Sequence, residues 1–226
     1  MDDQFESHLE ESIRVHGHLC AGQVLGVRMA LAGLREAGIA DPKGADRKQI
    51  IVFVEMDRCA TDAVQSVTGC SLGRRTMKFM DFGKMAATFI NLRTGRAVRV
   101  AAREDARVRA RDYAPEAPDK YAAQSQAYRM MPEAELFDIA DVRVDLRPED
   151  LPGRPLGRVA CGGCGEHVQD GREVRRDGMV LCKSCAGEGY YVLRFPYASP
   201  GIRPPGDECA RMRGGSLLAV RYAKRS

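Results

Sequence analysis

Apolar side chains at 20, 24, 27, 31 and 34 recur at i, i+4, i+7, i+11 and i+14, which puts them on one face of a helix. Residues 20 to 37 therefore predict one amphipathic helix, with Gly38 as its stop. The pattern then changes. Residues 49 to 56 form a short, mostly apolar, β-branched run, the signature of an inner strand. A short helix follows near Asp62 to Val67, ended by Gly69. Residues 85 to 92 and 97 to 102 flank Arg93-Thr94-Gly95-Arg96 and predict a β-hairpin. Residues 118 to 137 look helical with a break at Pro132, and 139 to 146 alternate as another strand. Helices combined with a hairpin predict an α+β fold: a mixed or antiparallel sheet with packed helices.

Punctuation divides the chain. Residues 1–147 carry the alternating helix and strand patterns. Residues 148–160 hold three prolines and two glycines and read as a linker. Residues 161–193 hold paired cysteines, and 194–226 read as a basic loop or tail. That tail carries seven bases against two acids, which leaves 28 bases and 29 acids in the rest, so the net charge of +4 is not a basic face. Tryptophan is absent and aromatics are 6%, which with the missing basic face argues against a nucleic-acid partner. No apolar run reaches membrane-spanning length and the first residues are acidic, so the expectation is a cytoplasmic protein with no membrane partner.

Eight cysteines without a secretory leader point to metal or thiol chemistry rather than to disulfides. Cys161-Gly-Gly-Cys164 and Cys182-Lys-Ser-Cys185 are separated by seventeen residues, inside the range of a four-cysteine zinc site. Four thiolates leave no open position, so this zinc is expected to be structural. The segments 167–169 and 179–181 can be strands, joined through Asp170-Gly171 and Asp177-Gly178 turns, and the result is a small C-terminal zinc ribbon. His167 is read as a surface residue beside a filled ligand shell.

A second constellation lies near the start. His16, His18 and Cys20 place three metal-capable side chains within five residues, alternating on one side if the backbone is extended or irregular there. Cys20 would open a helix, whose positive end favours thiolate. Cys59 lies just past the end of the inner strand, bracketed by Asp57 and Asp62. The loop from Gly69 to Arg75 carries two arginines and could hold an anion, whereas Cys70 reads as a small buried hydrophobe.

The stretch His16-Gly-His-Leu-Cys-Ala-Gly-Gln-Val-Leu-Gly-Val-Arg-Met-Ala30, then Asp57-Arg-Cys-Ala-Thr-Asp-Ala-Val-Gln-Ser-Val-Thr-Gly-Cys-Ser-Leu-Gly73, then the four-cysteine ribbon, resembles the FmdE family, named for the E subunit of formylmethanofuran dehydrogenase. The resemblance covers roughly residues 8 to 190. The family usually has proline where this chain has Ala21, and Gly-Lys-Gly where it has Gly73-Arg74-Arg75. The resemblance implies an α+β metal-binding domain with a zinc ribbon, and carries a metal role onto His16 or His18, Cys20 and Cys59. The set expected is His18, Cys20 and Cys59, with His16 as fourth ligand or supporting partner. Two imidazoles and two thiols suit zinc first, and also iron or nickel. The implied function is a metal-binding accessory protein beside a molybdenum or tungsten oxidoreductase of an anaerobe. The alternative is a metalloenzyme using that site. A homodimer is expected, with the proline-rich link letting the ribbon pack on a neighbour.

Overall fold

The computed structural model describes residues 3–191; the basic tail, Cys209 and the last two positions of the expected ribbon segment lie outside the described residues. The chain divides after Gly153 into two compact units.

The first unit is built on a five-stranded sheet. Its strands are β1 (Ile50–Val54), β2 (Met77–Phe79), β3 (Ala86–Asn91), β4 (Ala97–Ala102) and β5 (Phe137–Val142), in the spatial order β2-β1-β3-β4-β5. β1 and β2 are parallel, and the other neighbours are antiparallel, so the sheet is mixed as expected for an α+β chain. The expected hairpin is β3–β4, and the inner strand is β1. Strand β5 begins two residues earlier than its alternation suggests and ends at Val142.

Side chains alternate across the sheet with period two. Met77, Val52, Phe89 and Val98 lie in one cross-strand row, and Ile51, Ile90, Ala97 and Val142 in the next. The first row faces the helices and joins the main core. The second row is covered by Val144 and Leu146 as the chain continues beyond β5. β1 is thus buried on both faces, which explains its unbroken apolar run.

Six helices accompany the sheet among the described residues: α1 (Asp3–His16), α2 (Ala21–Ala37), α3 (Cys59–Thr68), α4 (Glu104–Tyr113), α5 (Lys120–Met130) and α6 (Glu133–Leu136). Helix α2 is the one its apolar stripe predicts, ending in a left-handed Gly38. The break at Pro132 separates α5 from α6. Two helices carried little sequence signal. α1 buries only Phe5, Leu9 and Ser12, and α4 only Ala106 and Ala110. α1 has two large apolar side chains beside a polar serine and α4 has two alanines, so each apolar stripe is thin.

Helix α3 is the crossover between parallel strands β1 and β2. It therefore starts at the carboxyl end of β1, where α/β crossovers collect functional residues. Helix α2 lies directly on it. A Cβ at Gly26 would sit 2.8 Å from the Ala60 Cα and 2.7 Å from the Ala60 carbonyl oxygen; a Cβ at Gly22 would sit 2.9 Å from the Cys59 Cβ. These two glycines are one helical turn apart. They remove side chains where α2 meets the first turn of α3, so the backbones close to contact.

The second unit has two ribbons: β6 (Arg158–Ala160) with β7 (His167–Gln169), and β8 (Val174–Arg176) with β9 (Met179–Leu181). The expected strands 167–169 and 179–181 both exist, but they do not pair with each other. Each pairs with a neighbour of its own. Asp177 and Gly178 both take positive φ, the two-residue turn that closes β8–β9.

Gly26→Ala tests the helix contact. An alanine gains about 1 kcal/mol of helix propensity over glycine. Overpacking costs about 1–3 kcal/mol, and backbone cannot move aside as a side-chain tip can. We expect net destabilisation, read as a lower urea midpoint at unchanged slope; a raised midpoint would show that the helices are not in contact there.

Candidate metal centres

The first cluster is assembled at the ends of three helices. α1 runs through His16, so the segment expected to be extended or irregular becomes so only from Gly17, which turns the chain at φ +95. Cys20 is the extended residue that caps α2, with φ −145 and ψ 164. Cys59 is the first residue of α3. One ligand atom from each of His16, Cys20 and Cys59 lies within 4.8 Å of the others. His16 Nε2 is 3.9 Å from the Cys20 sulfur. The other ring nitrogen, Nδ1, is 2.8 Å from Asp62 Oδ2. A carboxylate on the outer nitrogen fixes the tautomer that leaves Nε2 free to bind a metal.

Of the four residues that the sequence pattern groups together, three thus meet. His18 is exposed and outside the group; its ring stacks obliquely on His16 at 4.7 Å between centroids. Asp57 is exposed and pairs with Arg58. The Cys70 thiol is buried in the main core, and burial pushes its pKa up. The two loop arginines turn to backbone: Arg74 donates to the Gly69 carbonyl and Arg75 to that of Glu149. Arg74 therefore lies at the far end of α3 from Cys59, about 15 Å away by helical rise.

The site is half open. His16 is 13% exposed in its side chain, while Asp62 at the mouth is 52% exposed. Burial pushes the Cys59 thiol up, and the adjacent Cys20 sulfur adds to the effect. Two sulfurs sharing a desolvated site resist ionising together, and a divalent cation between them would reverse that balance.

A buried polar chain holds the geometry. Gln23 is fully buried on α2, and its Nε2 donates to the Cys59 carbonyl at 2.6 Å. Its Oε1 accepts from the equally buried Ser12 hydroxyl of α1. Three helices are thus tied together one bond from a candidate ligand. The apolar pattern hid these residues. Gln23 follows Cys20 by three positions, so it lies on the buried face of α2, and a glutamine on that face is the one signal available.

The second cluster is Cys161, Cys164, Cys182 and Cys185, again with sulfurs within 4.8 Å. It fits a small zinc-ribbon-like site. Burial pushes the Cys161 thiol up, but backbone N–H groups outweigh it, those of Cys182 and Gly163 at 3.1 and 3.3 Å among them, and lower it to about 6. Burial and neighbouring sulfurs raise Cys164 to about 11 and push Cys185 up as well. One thiolate is prepared by the knuckles, and Cys164 and Cys185 need a cation to ionise beside it. His167 is exposed.

The FmdE family model, described as "FmdE, Molybdenum formylmethanofuran dehydrogenase operon", matches residues 15–138, which include the first cluster but not the second. Over 86 residues the chain is 37% identical to a probable S-adenosyl-L-methionine-binding protein of Archaeoglobus fulgidus; the match spans 38% of this chain and 24% of that protein's length. The crystal structure of a tungsten formylmethanofuran dehydrogenase FmdE-like protein from Syntrophus aciditrophicus shares the fold, with a TM-score of 0.54 over 83% of this chain and 95% of that one, at 21% identity.

Gln23→Met should keep the volume of the helix junction and remove its hydrogen bonds. It takes the acceptor from the buried Ser12 hydroxyl and one of two donors from the Cys59 carbonyl, at a cost of about 1–3 kcal/mol. Chemical denaturation of the variant checks this, and a stability equal to the parent would mean the polar chain contributes nothing.

Proposed function

This chain belongs to the FmdE family, and on that footing we propose that it is a metal-binding accessory protein to a molybdenum or tungsten oxidoreductase, working in the cytoplasm of an anaerobe. It resembles the E subunit of formylmethanofuran dehydrogenase, and in this reading it holds two metals of different character. Zinc fills the Cys161, Cys164, Cys182 and Cys185 shell and acts structurally. A second divalent metal, zinc first and iron or nickel next, sits on His16, Cys20 and Cys59.

The observation that carries the reading is the three-ligand cluster backed by Asp62. The donor set fits a borderline to soft divalent ion. Three protein ligands leave one position open for an exchangeable ligand, which suits metal delivery or sensing. The half-exposed mouth also favours a second reading. A metal there would polarise a bound water or thiol, and the protein's own residues would orient it: Asp62 fixes the His16 ring, and Gln23 fixes the start of α3. That is the metalloenzyme alternative. No helix among the described residues is long and apolar enough to cross a membrane.

Metal analysis tests the reading. Full chain purified anaerobically should carry about two metal equivalents, and Cys20→Ser/Cys59→Ser about one. Asp62→Asn should leave the ribbon metal untouched and weaken the other site about 10- to 100-fold. A parent chain with only the ribbon metal, after loading with zinc, iron or nickel, would refute the second site.

A homodimer belongs to the same proposal. Phe79, Met80 and Phe82 are exposed beside the edge strand β2, an apolar surface of the kind that subunits cover. Light scattering should then give twice the 24.9 kDa chain mass; a single-chain mass at working concentration would end the dimer.

A further inference from the structure

A roomy cavity of the first unit lies away from both cysteine clusters. It holds about 1000 Å³ between α1, α2, the turn after α2, and the 129–133 segment. None of its lining residues belongs to either cluster. On α1 it reaches His8, eight residues or about 12 Å from His16. Its floor is apolar, formed by Phe5, Leu31 and Ile39.

The cations on its walls differ in one respect. Lys43 is matched by Glu11 at 2.6 Å, and Arg129 by Glu6 at 2.7 Å. Arg35 is matched by Glu133 at 2.5 Å. Arg28 has no carboxylate. Its Nη1 donates to the Tyr128 and Met131 carbonyls at 2.8 and 2.5 Å, which anchors the end of α5. That structural duty uses one nitrogen. Its Nε and Nη2 have no hydrogen-bond partner among the described residues, neither is sealed from solvent, and the residue lines the cavity. Burial pushes the guanidinium below its ordinary range, and the charge of Glu133 offsets this only in part. A half-buried guanidinium held rigidly, with two donors free and no carboxylate bonded to it, is complementary to a carboxylate or phosphate.

We propose that this cavity binds a small organic anion with an apolar body, its carboxylate or phosphate on the free edge of Arg28 and its body over Phe5, Leu31 and Ile39. Size agrees with the assignment, since ligand cavities run from about 300 to 1,000 Å³. So does the mixture of an apolar floor with one cation that no carboxylate pairs. This site is independent of the metal reading and survives its failure.

Calorimetric titration of the full, metal-loaded chain tests it with four probes: phenylphosphate, phenylacetate, inorganic phosphate and benzyl alcohol. Phenylphosphate or phenylacetate should saturate with a dissociation constant at or below about 1 mM, and whichever is tighter identifies the head group. Inorganic phosphate lacks the body and benzyl alcohol lacks the charge, so each should bind at least about tenfold more weakly. Arg28→Gln should weaken the better probe at least about tenfold. Because that variant also loosens the end of α5, Leu31→Trp is the companion: it fills the floor, leaves Arg28 intact, and should weaken the same probe, with circular dichroism confirming the fold. No saturable binding by about 10 mM overturns the site. So does binding that ignores both variants, or equal affinity for benzyl alcohol.

Discussion

The approach of α2 to the first turn of α3 is the constraint on which the first unit depends. Gly22 and Gly26 leave no room for a Cβ against Cys59 and Ala60. The same closeness that joins the helices sets the separation of Cys20 from Cys59, because each cysteine sits within two or three residues of the contact. The crossover geometry supplies the rest. β1 ends, the chain turns through 55–58, and α3 begins at the cleft that α1 and α2 cap. Gln23 and Ser12 fix the third helix to the same point. The candidate ligands therefore lie on helix ends held by a rigid core rather than on a free loop.

The two cysteine-containing clusters obey different physical logic. Around the four-cysteine cluster, the buried residues among those described are Cys161, Asp170, Leu181 and Ala186. So little apolar burial cannot offset the entropy of ordering some thirty residues, and a cation binding four sulfurs is the natural source of cohesion. Its knuckles prepare for that by aiming backbone N–H groups at Cys161. The His16 cluster rests on a large core and owes its geometry to packing. Its shape therefore does not depend on a filled ligand shell, as that of the four-cysteine cluster does.

Much of the fold was legible because its elements satisfy one strong pattern each. The stripe on α2, the doubly buried β1, the hairpin β3–β4 and the break at Pro132 all follow from local periodicity or punctuation. Helices α1 and α4 escaped because their inward residues are few, Phe5 and Leu9 with a polar serine on α1 and two alanines on α4, so no long stripe rises above the polar background. The ribbon strands escaped in part. Three-residue strands satisfy their hydrogen bonds with whichever neighbour the turn supplies, and here that was β6 for β7 and β8 for β9. Among the site residues, Asp62 was visible only as a flanking carboxylate, and Gln23 only as a polar residue on the apolar face of α2.

By itself, the sequence determined the chemistry available: four cysteines at knuckle spacing, and a helix entry rich in imidazole and thiol followed by a cysteine past a strand. It determined the α+β class too, since hydrophobic period is a local property, whereas the parallel β1–β2 pairing came only with the tertiary structure. The tertiary structure alone decided which imidazole meets the thiols. His16 and His18 are equivalent by composition and two residues apart. α1 continues through His16 and the chain turns at Gly17, so His16 faces Asp62 and Cys20 while His18 faces outward. That choice rests on where one helix ends against two others, a contact between residues 46 positions apart, and no periodicity along the chain encodes it.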